Sequence, residues 1–334
     1  MAEGVVTESD LSHADRQLLT LVQRAIPPVR RPYQALGEQL GLDEEEVIAR
    51  LRAFKEAGLI RKLGPVFEPA ALGLATELVA VQVAPEWAEA VGGAVAAYPE
   101  VTHCYLREHR INVWFAGVAP EALWFARAAE EIRGLAGVHG LWRLPTVRRF
   151  KIAVQFDLAE VSAAPAAAGA VPRVPLTPEM IAVLQTDLPL VPEPFAEVAT
   201  IHGRAAQDVL AALRSCLADG RIRRYGALVS HRRLGFTANA MVVMRVPEER
   251  IEEIGTRLSA SSDVSHCYQR PPFDGFPYSL YAMVHARDRA RCLEIAGALM
   301  KEGGITEWAA LFSTKEYRKA APDYAALVGR TPRP

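Results

Sequence analysis

The chain has 334 residues, of which 50% are apolar and 23% charged, with a formal net charge of −1. That length is too great for one compact core and suits two to four domains. The near-neutral balance gives no bulk attraction to nucleic acid or to an anionic membrane surface. The four cysteines, Cys104, Cys216, Cys267 and Cys292, include no C-x-x-C pair. This argues against a disulfide framework, a zinc ribbon or a Cys-ligated iron–sulfur cluster, and no metal site is expected. The opening "MAEGVVTESDLSHADRQ" is polar and acidic, unlike a signal peptide, and no apolar run approaches the ~20 residues that span a bilayer. A cytoplasmic location is the expectation.

In chain order, the first elements are three helical segments, "ADRQLLTLVQRAI", "YQALGEQL" and "DEEEVIARLRAFKEAG". A Pro-Pro stop follows the first and a Gly41 turn the second. Asp43 and Glu46 have the form of a capping box, and Gly58 closes the third helix. "LIRKLGPVF" then reads as the strand of a wing, so residues 14–67 are expected to form a winged helix-turn-helix. From residue 74 to 157 the pattern changes to strand, helix, strand, strand, helix, strand. The segments are "ATELVAVQVA", "EWAEAVGGAVAAY", "VTHCYLRE", "INVWFAGV", "PEALWFARAAEEIRGL" and "GLWRLPTVRRF". This is the signature of a ferredoxin-like α+β unit, one antiparallel sheet with two helices on one face.

An Ala/Pro-rich stretch within residues 158–175 reads as a surface linker. After it the same order returns, a winged helix-turn-helix over 176–230 and a ferredoxin-like domain over 236–322. "GLIRKLGPVF" from Gly58 matches "GRIRRYGALV" from Gly220, an offset of 162 residues. His103-Cys104-Tyr105 matches His266-Cys267-Tyr268 at 163, whereas Leu144 matches Leu311 at 167. The second copy has therefore gained four residues, which fall in "PPFDGFPY" (271–278). So long a period marks a tandem duplication of the whole domain pair rather than a solenoid.

The words "THCYLREHR" (102–110) and "SHCYQRPPF" (265–273) carry the candidate chemistry. Side chains alternate along a strand, so His103, Tyr105 and Arg107 share one face while Cys104 and Leu106 take the other. Val113 and Phe115 alternate with Trp114 on the next strand. In the second copy His266, Tyr268 and Arg270 form the same row, and Tyr281 and His285 alternate with Leu280, Ala282 and Val284. Apolar residues belong against the helices, so the polar rows face away from them. If those faces confront each other, they enclose a cleft lined with His, Tyr, Trp and Arg. A single strand histidine is more often a surface or satisfied core residue, and a Tyr-x-Arg pair an interface anchor. The same cluster written twice, on the helix-free face, points instead to a site.

Winged helix plus ferredoxin-like domain resembles the Lrp/AsnC-like regulators. More narrowly, "HCYLREHRINVWF", "HCYQRPPFDGFPYSLYAMVH" and "LFSTKEYRK" resemble the siroheme decarboxylases, whose two related subunits stand here on one chain from about Ala14 to Lys319. The resemblance implies removal of the acetate carboxylates on rings C and D of siroheme. Methyl groups remain, and the product, didecarboxysiroheme, feeds heme d1 or a siroheme-dependent route to heme. It implies no cofactor beyond the iron carried by the substrate. Candidate partners are the tetrapyrroles themselves, other enzymes of tetrapyrrole synthesis and a further copy of the chain, beside the internal pseudo-dimer. An Arg can hold a carboxylate bidentately, and His has a pKa suited to protonating the carbon that loses carbon dioxide.

The catalytic candidates are therefore His266, Arg270 and Tyr268, with His103 and Arg107 in the first copy; the second cleft is the expected catalytic one. Tyr105, His109, Trp114, Tyr278, Tyr281 and His285 are candidates for contact with the macrocycle and its side chains. Arg110, Arg148, Arg149, Lys315 and Arg318 are candidate cations for the remaining carboxylates. The alternatives are a transcription regulator and a heme-sensing module. Against the regulator stands the turn "DEEE" at 43–46, which aims four carboxylates where DNA phosphates lie, and neither recognition helix carries a basic stripe.

Overall fold

The computed structural model describes residues 11–152, 158–159, 171–230 and 233–330. The expected linker falls largely on residues 160–170, outside the described residues, as do 153–157 at the expected end of the first ferredoxin-like domain.

The first copy runs α1 (His13–Arg24), α2 (Pro32–Leu40), α3 (Glu44–Glu56) and β1 (Ile60–Phe67). It continues with β2 (Ala75–Val83), α4 (Ala88–Ala96), β3 (Val101–Arg107), β4 (Val113–Ala119), α5 (Ala122–Arg133), β5 (Val138–Pro145) and β6 (Arg148–Ile152). The second copy gives α6 (Pro178–Gln185), α7 (Pro194–Ile201), α8 (Ala206–Ala218) and β7 (Ile222–Val229). Then follow β8 (Ala238–Met244), α9 (Ile251–Ala260), β9 (Val264–Gln269), β10 (Leu280–Ala286), α10 (Arg289–Gly303), β11 (Trp308–Lys319) and α11 (Tyr324–Arg330).

Local chemistry sets the helix ends. Ser12 and Asp15 form a reciprocal capping box on α1. Proline opens α2, α6 and α7 at the first turn, where a missing N–H costs nothing. Gly41 ends α2 in the left-handed region at φ 69°, as only a residue without Cβ does readily. At α3 the expected capping box is half made. Asp43 accepts from the Glu46 N–H at 2.7 Å, but Arg50 takes the Glu46 carboxylate instead of the cap N–H.

The domains group by type rather than by copy. One compact unit holds both winged helices with α11; the other holds both ferredoxin-like domains. In the first, each copy supplies one wing strand, and β1 pairs antiparallel with β7. Tyr33, fully buried, donates its hydroxyl proton to the Pro189 carbonyl at 2.7 Å, so the two copies share one core.

The second unit contains a nine-stranded antiparallel sheet in the order β5-β2-β4-β3-β11-β8-β10-β9-β6. Each ferredoxin-like domain contributes four consecutive strands of it. The end of each chain repeat then crosses over. β11 pairs with β8 through Phe312 and with β3 from Ser313 onward, while β6 leaves its own sheet to pair with β9. The expected single strand over 140–150 is thus two strands, β5 and β6, serving different copies. Helices α4 and α5 cover one face of the first sheet with a core of Val79, Val81, Val91, Cys104, Phe115 and Phe125. The equivalent core under α9 and α10 holds Val242, Ile254, Cys267, Ala282 and Cys292.

Candidate functional site

Both motif strands place their rows as alternation requires. Cys104 and Cys267 are fully buried in the helix-side cores, which pushes both thiols up to about 12 and leaves them unreactive. On the other face His103 stacks on Tyr105 and His266 on Tyr268, each pair with ring centroids 6.2 Å apart. A guanidinium caps each tyrosine, Arg107 at 5.5 Å and Arg270 at 4.9 Å from the ring centroid.

The two arginines are held by the opposite copy. Arg107 Nη1 donates to the Leu311 carbonyl at 2.8 Å, and Arg270 Nη1 donates to the Leu144 carbonyl. Leu144 and Leu311 are themselves equivalent positions of the duplication, so the contact is reciprocal. Arg107 is 6% and Arg270 8% exposed, and neither Nε has a hydrogen-bond partner. A buried guanidinium with donors unused is expensive unless an anion completes it. Burial pushes Arg107 down to about 10. Arg270 is also lowered by burial, an effect opposed by Tyr268, Tyr281 and Glu77. Glu77 itself is buried and paired with Arg143.

A register irregularity occurs at each motif histidine, between Val101 and His103 and opposite Met283 and Val284. It gives Thr102 and Ser265 the extra position of a bulge and turns their hydroxyls toward the histidines. Thr102 Oγ1 lies 2.9 Å from His103 Nδ1, and Ser265 Oγ lies 2.9 Å from His266 Nδ1. Ser265 also reaches His285 Nε2 at 2.7 Å. Burial, with Lys319 adding to it, pushes His285 down to about 4. Lys319 is opposite His103 on β3, so its charge joins the two motifs.

The confronting faces meet, but not as a wholly open cleft. Ala80, Trp114 and Leu144 pack against Met241, Val243, Tyr281 and Leu311 in a shared apolar cluster. Trp114, expected to contact the macrocycle, is 1% exposed, and its indole N–H is satisfied by the Ile111 carbonyl at 2.8 Å. It is a core side chain here. Tyr281, its counterpart, is 3% exposed with a hydroxyl that lacks a partner, and burial raises its pKa.

The four-residue insertion supplies Phe273 and Phe276, which bond to each other's backbone in a tight turn. Phe276 is buried in the shared cluster and touches His109, Trp114, Tyr278 and Tyr281. Phe273 stacks on Trp142 at 4.7 Å. Arg110 fastens the turn by donating to the Gly275 carbonyl at 2.6 Å. A Cβ on Gly275 would lie 2.3 Å from Arg110 Nη2, so glycine is required there by close approach as well as by its φ of 72°. His109 Nδ1 accepts from the Ile111 N–H at 3.1 Å, and burial lowers its pKa.

Three expected cations are elsewhere. Lys315 and Arg318 lie opposite Leu106 and Cys104, hence on the helix side, where Lys315 pairs with Glu89 and Arg318 donates to the Ala96 carbonyl. Arg148 pairs with Glu252 of α9. Arg149 lies opposite Tyr268 and shares its face. Lys319, Thr102 and Ser265 were not among the sequence candidates. Two surface clefts, one beside Arg257 and Arg291 and one beside Phe195 and Leu210, touch neither motif. The unsatisfied buried donors are the stronger pointer, because a desolvated cation needs a ligand whereas a surface cleft need hold only water. Among the described residues no His, Cys, Asp or Glu group is arranged to hold a metal ion. No described helix is long and apolar enough to cross a membrane. At the "DEEE" turn Glu44 pairs with Arg31 and Glu46 with Arg50, so the turn offers no cations to a phosphate backbone.

Comparison with known proteins agrees with this architecture. Residues 15–61 and 178–223 match the siroheme decarboxylase NirDL-like HTH domain, and residues 71–151 and 233–318 match the AsnC-like ligand binding domain. The siroheme decarboxylase of Hydrogenobacter thermophilus is 32% identical over 92% of this chain and 94% of its own. The siroheme decarboxylase NirDL subunit of Paracoccus pantotrophus is 37% identical over 91% of this chain and 95% of its own. A crystal structure of the siroheme decarboxylase NirDL superposes with a TM-score of 0.71 at 29% identity, covering 96% of this chain and 98% of that one. Another, solved with an iron-uroporphyrin III analogue, gives 0.70 at 28% over the same shares. Half-length relatives occur as well: the alpha subunit of Desulfovibrio desulfuricans is 41% identical over 45% of this chain and 86% of its own. Fused and split relatives explain why one chain writes its site twice as an internal pseudo-dimer, and with both domain types matched in both copies, this chain belongs to the siroheme decarboxylase family.

Proposed function

We propose that this protein removes the two acetate carboxylates on rings C and D of siroheme as carbon dioxide. Methyl groups are left, and didecarboxysiroheme passes to heme d1 or to siroheme-dependent heme synthesis. The supporting observation is the pair of buried guanidiniums, each with an unused Nε donor beside a Tyr–His stack. An acetate carboxylate is the anion that such a donor takes up, and a flat macrocycle is what the tyrosine rings flank.

In this reading Arg270 holds the departing carboxylate. The bond between the methylene carbon and the carboxyl carbon breaks, carbon dioxide leaves, and the electron pair on the methylene carbon takes a proton from His266. No electrons enter or leave, so the reaction calls for no resident cofactor; the iron arrives in the substrate. Arg107 with His103 serves the equivalent position in the first copy. Lys319 and Arg149, which share the open face, are the cations for the remaining carboxylates, and Arg110 acts through the Phe273–Phe276 turn. The enzymes that make siroheme and use its decarboxylated product are the partners, in the cytoplasm.

Anaerobic incubation with siroheme, followed by mass analysis of the tetrapyrrole, tests this. Two successive losses of carbon dioxide are expected. Tight binding with unchanged mass would make the protein a tetrapyrrole sensor.

A further inference from the structure

A hydroxyl has one proton, and in each copy it has two neighbours. Thr102 Oγ1 donates its proton to the Ala116 carbonyl at 3.1 Å. It must therefore accept from His103, which places a proton on His103 Nδ1. The neutral His103 ring then has only a lone pair at Nε2. It can accept a proton or a hydrogen bond there, and it donates from Nε2 only as a cation.

Ser265 stands in the same place, but no carbonyl takes its proton. Its two neighbours are His266 Nδ1 at 2.9 Å and His285 Nε2 at 2.7 Å. Two arrangements satisfy all three groups. In one, His266 Nδ1–H donates to Ser265, which donates to His285. In the other, His285 Nε2–H donates to Ser265, which donates to His266 Nδ1, so that the neutral His266 ring carries its proton on Nε2. The first copy has no equivalent of the second arrangement, because Val118 stands where His285 does and the Ala116 carbonyl cannot donate. Burial keeps His285 neutral near pH 7, so it serves as donor or acceptor without charging the site.

We propose that Ser265 and His285 are positioning residues that let the neutral His266 present a proton at Nε2, while Thr102 locks His103 in the opposite tautomer. This rests on the decarboxylase reading for its consequence, though not for its geometry: His266 can donate a hydrogen bond to a substrate carboxylate without being charged, and His103 cannot.

The test is long-range proton–nitrogen correlation on full-length protein with nitrogen-labelled histidine, without tetrapyrrole, assigned through His103→Gln and His266→Gln. We expect a fixed Nδ1–H pattern at His103 and an Nε2–H or averaged pattern at His266. Ser265→Ala should change the His266 pattern and leave that of His103 alone. In turnover of siroheme, Ser265→Ala should lower kcat by roughly 10- to 100-fold with KM little changed, and Ser265→Thr should restore it. His285→Phe is a second variant, and Ser265→Ala keeps the test decisive if burial of that ring is needed for folding. A His266 pattern identical to that of His103 and indifferent to Ser265→Ala overturns the proposal. So does wild-type kcat in Ser265→Ala. A wild-type protein that leaves siroheme unchanged would refute the function while the nitrogen spectra still judged the tautomers.

Discussion

The two ferredoxin-like copies agree where they close the fold and differ where they meet a ligand. Each sends its last strand to the other sheet, and each fixes its buried arginine with a carbonyl from the other copy. Around that shared frame, Thr102 with a carbonyl faces Ser265 with His285, Trp114 faces Tyr281, and Ile152 stands where the second copy has Lys319. Only Arg270 has a carboxylate among its influences, that of Glu77. Duplication preserved the contacts that neither half can make alone. It left free the positions that act on substrate.

Catalytic variants give the largest expected contrast. His266→Ala should lower kcat by about 10²- to 10⁴-fold, as loss of a general acid does. His103→Ala should do less, since Thr102 holds that ring in the form that donates from Nε2 only when charged. Equal losses in parallel kinetics would abolish the division of labour.

Next comes the insertion that only the second copy has. Phe276 is 1% exposed and fills the apolar cluster shared by both sheets. Phe276→Ala should destabilise the protein by about 3–5 kcal/mol in denaturant titration. A loss below about 1 kcal/mol would mean that the cluster closes without it.

The pH dependence of stability isolates His285. Its pKa is about 4 when folded, against about 6.5 for a free ring. Above the free value both states are neutral and nothing is lost. As pH falls from about 6.5 toward 4, the unfolded ring takes up a proton that the folded ring refuses. Stability should decline in that window, by on the order of 2–3 kcal/mol. His285→Phe should flatten that part of the profile, whereas a first-copy histidine variant, His103→Gln, should not.

The smallest effect concerns the arginines. Replacing a buried, incompletely paired charge by an apolar side chain is often neutral or stabilising. Arg107→Met should weaken siroheme binding while raising stability by up to ~1–2 kcal/mol in thermal melts. Arg270→Met should weaken binding with less gain, because Glu77 would lose a compensating charge. A destabilised Arg107→Met would show that its carbonyl contact, not a ligand, is what retains it.

Strand alternation made much of this legible. A period of two put Cys104 and Cys267 inward and the His-Tyr-Arg rows outward, as the cores bear out. It could not locate Lys315 and Arg318. The register of β11 against β3 shifts between Glu316 and Arg318, and such a bulge reverses the face of everything after it without a sequence signal. Nor could alternation reveal that Trp114 would be sealed in, since burial there comes from a strand pairing hundreds of residues away in the chain. The hydroxyls were visible and went unused: both motif words begin with one, Thr102 and Ser265, directly before the histidine. The crossing of β6 and β11 is a matter of long-range pairing, to which local pattern is blind.

That crossing bears on how the chain can be divided. Opened between residues 160 and 170, the polypeptide would yield two pieces, each with a terminal strand whose hydrogen-bonding partners lie in the other piece. Produced alone, either would expose an unpaired sheet edge and a half-built arginine site, and should aggregate or self-pair. Produced together, they should reassemble, because β6 and β11 already act as the clasp of a dimer and the covalent join is only a tether. Natural relatives carried on separate subunits have this form, and their two genes would need matched expression for the same reason.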